Sequence, residues 1–397
     1  MNTKLFVQKG AINLLLLYPF ILTLPVGTSF TSICFGLLTA FTLVYGYLEF
    51  KTLKLSRKLL LFTIPFFIYL LGMINTDDIS YGLKFISRNT TILLFPFIFM
   101  ILKKANIPFV LILKSYLLGS LISSIYLIGL FIYNFNLGLK FYVVVTMDIF
   151  HSTYLGMYFV LAAVIALNFY FQEKKKTFLF LFLFFLFSSI LTGSRIIFIA
   201  AFLTTIFSCL YLTPKKYLYL VIIFVFSIFS LIILFVPAIK EKFNQFSSLE
   251  KLTFDKENYH SLSSRLAKIE ASIKVINKFP LFGTGTGDLH KELITEYKKM
   301  DFTMGYKKRY NPHNQYLDNL VRNGIIGGGI SLLCFYLIPF IIAIRAKNKL
   351  LLSFIIIVSI VSITESILDV HRGIVFYGFF LSFFSLLKNQ NIESNKK

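Results

Sequence analysis

Stretches of about 18 to 25 predominantly apolar residues recur along this chain, the length at which a helix crosses a hydrocarbon core. They fall at about 9–25, 28–49, 58–74, 85–102, 108–133, 151–171, 176–192, 195–212, 217–237, 316–345, 349–366 and 370–387. In lipid every backbone N–H and C=O must find its partner inside the protein, which leaves helices as the economical solution for such segments. Of 397 residues, 57% are hydrophobic, 15% are charged and 48 are Phe, more apolar surface than a soluble domain can cover. The expectation is an all-α polytopic integral membrane protein, with about 12 transmembrane helices and one large extracytoplasmic loop containing an amphipathic helix.

Charge sets the expected orientation. Basic residues concentrate in alternate short loops: Lys4 and Lys9; Lys51, Lys54, Arg57 and Lys58; Lys103 and Lys104; Lys174 to Lys176; Lys215 and Lys216; Arg345, Lys347 and Lys349; and Lys388, Lys396 and Lys397. The opposite short loops hold Lys84, Arg88, Lys140, Arg195 and Arg372, with the acidic pair Asp77 and Asp78. Basic loops stay on the cytoplasmic side, so both termini are expected there and the long loop outside. The same asymmetry accounts for the net charge of +22 without any nucleic-acid partner. The first span has no A-x-A-like cleavage site and reads as a retained helix. Cys34, Cys209 and Cys334 fall in separate predicted helices, which argues against a disulfide framework.

The chain thus divides into residues 1–237, carrying helices one to nine; residues 238–315, the large extracytoplasmic loop; and residues 316–397, carrying the last three helices and a short polar tail. Within the loop, Ser261 to Ser264 offer N-caps. Leu262, Leu266, Ile269, Ile273 and Ile276 follow at spacings of three and four, predicting an amphipathic helix that Pro280 stops. Arg265 lies in its first turn. Next comes Gly283-Thr284-Gly285-Thr286-Gly287, whose glycines let the backbone approach another element or a phosphate. The run follows no Rossmann-type strand and lacks the Lys-Ser/Thr of a P-loop, so a structural turn is the plainer reading.

The loop re-enters the membrane through Tyr310-Asn311-Pro312-His313-Asn314-Gln315-Tyr316-Leu317. His313 there is held by a proline-fixed chain yet stays within reach of water-borne and lipid-borne substrates; a capping or interfacial histidine is the alternative. His151, His260, His290 and His371 share the outer side, but no pair has metal-ligand spacing such as H-x-x-x-H. Arg195 is the one charge between Thr177 and Leu212 and suits bidentate capture of phosphate oxygens, against simple snorkelling to the interface. Arg88 and Arg372 are further candidates of this kind, although Asp369 is expected to pair with Arg372.

The chain resembles the O-antigen ligase and polymerase superfamily of bacterial envelope glycosyltransferases. The resemblance rests on the architecture and on four stretches: Thr192 to Arg195, Ser264-Arg265, Pro280 to Gly287, and His313 to Leu317 followed by Asn323-Gly324-Ile325-Ile326-Gly327. It implies a multi-pass protein of the bacterial inner membrane with its active site facing the periplasm. The implied activity is transfer of a glycan from an undecaprenyl-pyrophosphate carrier to a sugar acceptor, without a metal or other cofactor. The acceptor is the lipid A core in a ligase and a lipid-linked glycan in a polymerase. By position, the resemblance assigns Arg195 and Arg265 to the pyrophosphate and His313 to the acceptor, with Arg88, Arg372, Gly285, Asn314 and Tyr316 as substrate-binding candidates. The chemistry fits these residue types. Pyrophosphate leaves readily if fixed cations hold its charge, and the acceptor hydroxyl needs a base, which a histidine kept neutral beside arginines supplies. No D-x-D occurs, which disfavours a Mg²⁺-diphosphate site. Membrane lipids are the remaining expected partners, and a twelve-helix transporter or flippase is the rival from another class.

Overall fold

The computed structural model describes residues 11–48, 56–103, 107–135, 151–212, 219, 223, 227 and 261–387, and among these every element is helical. In chain order they are α1 (Ala11–Thr23), α2 (Thr28–Leu48), α3 (Arg57–Leu61), α4 (Ile64–Leu71), α5 (Ile79–Leu102), α6 (Phe109–Phe135), α7 (Ser152–Glu173), α8 (Lys176–Leu191) and α9 (Arg195–Leu212). The loop contributes α10 (Ser261–Lys278), α11 (Leu289–Lys299) and α12 (Thr303–Lys307). After α13 (Gln315–Asn323), two π-helical turns, Gly324–Gly328 and Leu333–Leu337, lead into α14 (Ile338–Arg345), followed by α15 (Lys349–Ser362) and α16 (His371–Leu386).

Among the described residues, five helical segments are long and apolar enough to cross a membrane: Ser29–Tyr47, Ile79–Leu102, Phe109–Tyr133, Ser152–Glu173 and Gln315–Arg345. Shorter apolar helices stand at Leu14–Thr23, Lys176–Leu191, Arg195–Tyr211 and Lys349–Ser362. The ninth expected span, 217–237, lies outside the described residues apart from 219, 223 and 227, as do His260, Lys140 and most of the terminal and loop lysines used for orientation. Two expected spans change shape. The stretch at 58–74 is the pair α3 and α4, separated at Phe62-Thr63, with Pro65 opening the second helix. The stretch at 85–102 starts earlier, at Ile79, because the Asp78 carboxylate caps the helix by accepting the Tyr81 N–H at 2.9 Å; Lys84 and Arg88 therefore lie on a helix rather than in a loop.

Helix α7 is the most enclosed element, almost wholly buried, with α6, α8, α9 and α15 packed around it. Lipid gives apolar helices little reason to associate, so packing must come from close fit and aromatic contacts. Here α16 supplies a ladder: Phe379 meets Phe95 and Phe99 of α5 at 5.7 and 5.4 Å, and Phe376 and Phe380 meet Phe354 of α15 at 5.6 and 5.9 Å. Each such pair contributes about 0.5–1.5 kcal/mol beyond area burial.

Within the loop, α10 ends at Lys278, just short of Pro280, but it buries a different face from the one its aliphatic residues suggest. Ser263, Ala267, Ala271, Ser272 and Val275 point inward, while Leu266 and Ile273 are 42% and 47% exposed. Small residues let α10 approach α11 and α13 closely, where Ala267, Ala271 and Val275 share a core with Leu289, Leu293, Tyr297, Phe302 and Val321. The helices α11 and α12 were not expected from the sequence.

The glycine run and the break after α13 are two halves of one joint. Gly324 has φ +63 and ψ −168, a conformation essentially reserved to glycine, and it ends the α-helix inside a long apolar segment. The carbonyls of Val321 and Arg322 accept the N–H groups of Thr284 and Gly285 at 2.8 and 3.0 Å. In return, Ile325 and Ile326 donate their N–H groups to the carbonyls of Pro280 and Leu281 at 2.8 and 3.2 Å. A helix is broken at membrane depth only when another element satisfies the freed backbone, and here Pro280 to Gly285 does so. The approach is so close that a Cβ at Gly283 would stand 2.4 Å from the Arg322 carbonyl oxygen, and one at Gly324 2.3 Å from that of Leu281.

Candidate functional site

The joint fixes the far end of α13, and the loop's return fixes the near end. Asn314 caps α13, its Oδ1 accepting the Leu317 N–H at 3.0 Å, and its Nδ2 donates to the Ile363 carbonyl at 3.0 Å. Tyr316 donates its hydroxyl to the Ser359 carbonyl at 2.9 Å and packs against Tyr336. Between Pro312 and Asn314, His313 sits at φ +47, a left-handed conformation that a residue with a β-carbon adopts at a cost of about 1 kcal/mol or more. Asn311 holds it there: its Oδ1 accepts the His313 N–H at 3.1 Å, while its Nδ2 donates to Asp369 Oδ2 at 3.0 Å.

The His313 side chain, 31% exposed, turns its Nδ1 toward Glu365 Oε2 at 3.4 Å and sets its ring edge-on to Tyr310 at 5.8 Å. Glu365 lies in the turn between α15 and α16, beyond the end of α15 at Ser362, although the sequence places it in a span. Its other oxygen, Oε1, accepts from Thr153 Oγ1 at 3.4 Å, and Thr153 lies 3.3 Å from the Ser194 hydroxyl, next to Arg195. Burial pushes the Glu365 carboxyl up, but His313, His151 and Arg265 outweigh it and hold the group below its ordinary range. Sequence reading set His313 beside arginines alone; the structure gives it a carboxylate partner as well.

Arg265, in the first turns of α10, and Lys268 lie within electrostatic reach of this carboxylate. Arg195 opens α9 and is close enough to Arg265 for the two to repel each other electrostatically. One helical turn beyond Arg265, Lys268 is 6% exposed, its Nζ 4.1 Å above the centre of the Tyr310 ring. Burial and the nearby Arg265 push its ammonium down to about 8, with Glu365 opposing. His313, Arg265 and Lys268 thus share the neighbourhood of Glu365, with Arg195 beside Arg265, although they come from three widely separated parts of the chain.

A second polar cluster lies behind the first. Arg322, on α13, is fully buried; its Nε donates to Asp318 Oδ1 at 2.8 Å, its Nη1 to the Thr286 carbonyl at 2.8 Å and its Nη2 to Asp369 Oδ1 at 3.2 Å. The guanidinium lies 3.9 Å above the Phe85 ring. Arg88 reaches Asp369 Oδ1 at 3.5 Å. Asp369 therefore pairs with Arg322, Arg88 and Asn311, rather than with Arg372 as its sequence neighbourhood suggests. The backbone carbonyl of Arg372 accepts the Tyr158 hydroxyl at 3.0 Å, and the adjacent His371 faces the Ser32 hydroxyl at 3.3 Å. His290, on α11, is pushed down to about 4 by burial and by the guanidinium of Arg322, with Arg309 and Arg88 adding to this and Asp369 opposing.

Gly285 belongs to the joint. Every N–H from Gly283 to Gly287 is donated to a protein acceptor: to Phe279 O, Val321 O, Arg322 O, Gly72 O and Thr76 Oγ1. The run therefore presents no row of free amides to a phosphate. Among the described residues, no three His, Cys, Asp or Glu side chains gather as a metal-binding group. Sequence reasoning overlooked Glu365, Lys268 and Arg322. For Glu365 and Arg322 the available signal was rarity, since an ionisable residue in or beside an apolar span is costly unless it is paired or used, whereas Lys268 is one of several charges in α10 and gave none.

Residues 179–332 match the O-antigen ligase family. No curated protein matches the chain. The matched segment runs from α8 through the loop into the helix after the joint, and so includes Arg195, Arg265, Lys268, the glycine run, His313 and Arg322. Over these residues the chain is similar to that family, a similarity that supports a ligase or polymerase type of function.

Proposed function

We propose that the chain is a metal-independent membrane glycosyltransferase that moves a glycan from undecaprenyl pyrophosphate to a hydroxyl of a sugar acceptor, the lipid A core, at the periplasmic face of the inner membrane. The observation that supports this reading is His313 held against Glu365, with Arg265 within electrostatic reach of that carboxylate and of Arg195. In the reaction the acceptor oxygen bonds to the anomeric carbon as the bond from that carbon to the pyrophosphate oxygen breaks, with inversion. The acceptor proton passes to His313 Nε2, and Glu365 offsets the charge that the imidazolium gains. The one negative charge that grows on the departing pyrophosphate, added to those it already carries, is met by Arg195 and Arg265, whose planar guanidinium groups bind paired oxygens and keep their charge at any working pH. Lys268 adds positive field at the same place. Arg88 and Arg372 stand at the edge of the site as further contacts for the donor, while Asn314, Tyr316 and Gly285 position the chain that carries His313.

The test is to incubate the purified chain with lipid-linked repeat units, with and without a lipid A core acceptor, beside His313→Ala, and to resolve products by size. Product that requires the core acceptor and disappears in the variant supports the ligase reading. A ladder of lengths without core makes the chain a polymerase of lipid-linked repeats. Full activity of a folded His313→Ala protein removes the histidine from catalysis, and no transfer under any condition returns the transporter reading.

A further inference from the structure

On the other side of the joint from His313, an apolar cleft of about 440 Å³ opens between α4 and the π turn that follows α13. Its walls are Ile68, Leu71 and Ile74 on one side and Ile326 and Ile330 on the other, with Phe282 at the mouth. Leu71, Ile74 and Phe282 are 64%, 83% and 67% exposed, so the cleft opens outward rather than into the core. No charged side chain lines it.

One residue in this cleft is chemically out of place. Asn323, the last residue of α13, is 4% exposed and lines the cleft, yet both its Nδ2 and its Oδ1 lack a partner. A buried amide left with an unmet donor and an unmet acceptor is costly anywhere, and more so in a segment apolar enough to cross a membrane. Leucine would fill the place without that cost. The neighbouring glycines keep space around the amide, since a Cβ at Gly72 would stand 3.1 Å from Asn323 Oδ1 and one at Gly327 3.0 Å from Asn323 Cβ.

We propose that this cleft binds an uncharged lipid alcohol. The hydrocarbon chain lies against Ile68, Leu71, Ile326 and Ile330, and the enclosed Asn323 amide turns toward the cleft so that the hydroxyl accepts from Nδ2 while donating to Oδ1. A hydroxyl meets both unmet groups at once, whereas an ester carbonyl meets only the donor. A phosphate finds no cation here and belongs with Arg195 and Arg265. The assignment does not depend on the transferase reading.

The experiment uses the full chain in phosphatidylcholine nanodiscs with two photoreactive probes, a long-chain alcohol bearing a mid-chain diazirine and the matching alkane without the hydroxyl. Labelled peptides are identified by mass spectrometry. The alcohol is expected to label peptides carrying Ile68 to Ile74, Phe282 and Ile326 to Ile330 about tenfold more than the outward-facing Phe30 and Tyr47 of α2, and unlabelled alcohol to compete this away. Asn323→Leu should remove most of the preference for alcohol over alkane, and Ile330→Trp should block both probes. Equal labelling by the two probes in the wild-type chain, or labelling of α2 as strong as that of the cleft, overturns the proposal. The competition on wild-type protein decides the matter even if Asn323→Leu does not fold.

Discussion

Replacing Arg322 by Met tests whether the cluster behind His313 is a structural hub. The guanidinium makes three hydrogen bonds, to Asp318 and the Thr286 carbonyl at 2.8 Å and to Asp369 at 3.2 Å, and all three partners are buried. Methionine keeps much of the volume and the contact with Phe85, so packing loss is small. What remains is an uncompensated buried charge. Asp369 keeps Arg88 and Asn311, but Asp318 loses its one ion-pair partner among the described residues. Removing one member of a buried pair costs about 3–5 kcal/mol. At about 2 °C of melting temperature for each kcal/mol, the figure for larger chains, the variant should melt roughly 6–10 °C lower in detergent. Differential scanning fluorimetry reads the shift. The decisive comparison is Arg322→Met with Asp318→Asn, which removes the stranded charge and should recover at least half the loss. If Arg322→Met melts within about 2 °C of wild type, a loss near 1 kcal/mol, or if the double variant is no more stable than the single one, the reasoning fails. Transfer activity should fall with stability, because Asp369 anchors the Asn311 that holds His313.

Other outcomes follow from the same geometry. Gly324→Ala should destabilise by at least about 1–3 kcal/mol, since its backbone conformation excludes a β-carbon and the Leu281 carbonyl occupies the space; unfolding of the variant beside Gly329→Ala, where nothing stands within 4 Å, separates strain from general helix effects. Glu365→Gln should lower kcat about 10–100-fold with KM little changed, because the amide still accepts from His313 Nδ1 but no longer offsets an imidazolium; steady-state kinetics decide it. Lys268 is held at about 8 instead of 10.5, so the folded state carries a buried-charge cost of about 3 kcal/mol wherever the lysine is charged in both states, below about pH 8. Lys268→Met should therefore stabilise the protein at pH 7, by about 1–3 kcal/mol once the lost contact with Tyr310 is subtracted, while reducing transfer. As pH climbs from about 8 to 10.5, the unfolded wild-type chain still binds the proton that the folded chain has released. Wild-type stability then rises relative to the variant, which pH-dependent melting would show.

The sequence by itself determined the helical class of the molecule. Apolar runs of spanning length left no alternative to helices, because backbone groups in hydrocarbon must be satisfied within the segment. Arg195 and His313 stood out as candidates because ionisable groups at the ends of apolar segments are rare, and Arg265 through the family resemblance. The ends of elements set by strong local rules were legible too, as with α10 stopping before Pro280. Where sequence reading went astray, the deciding contact was distant in the chain. The aliphatic stripe of α10 suggested the wrong face, because close approach to α11 and α13 rewards small side chains over large ones. Asp369 passed over Arg372, three residues away, for Arg322 and Arg88, because those guanidinium groups reach it across the packed helices. The glycine run was rightly read as a structural turn in preference to a phosphate cradle, but not its partners: the break after α13 takes up two of its amides and the turn beyond α4 two more. Glu365, which meets His313 and Thr153, belongs to a turn between two apolar helices and has no local motif. Only the tertiary structure could place it, because side chains meet there that the chain separates by fifty to two hundred residues, and no local rule of spacing reaches that far.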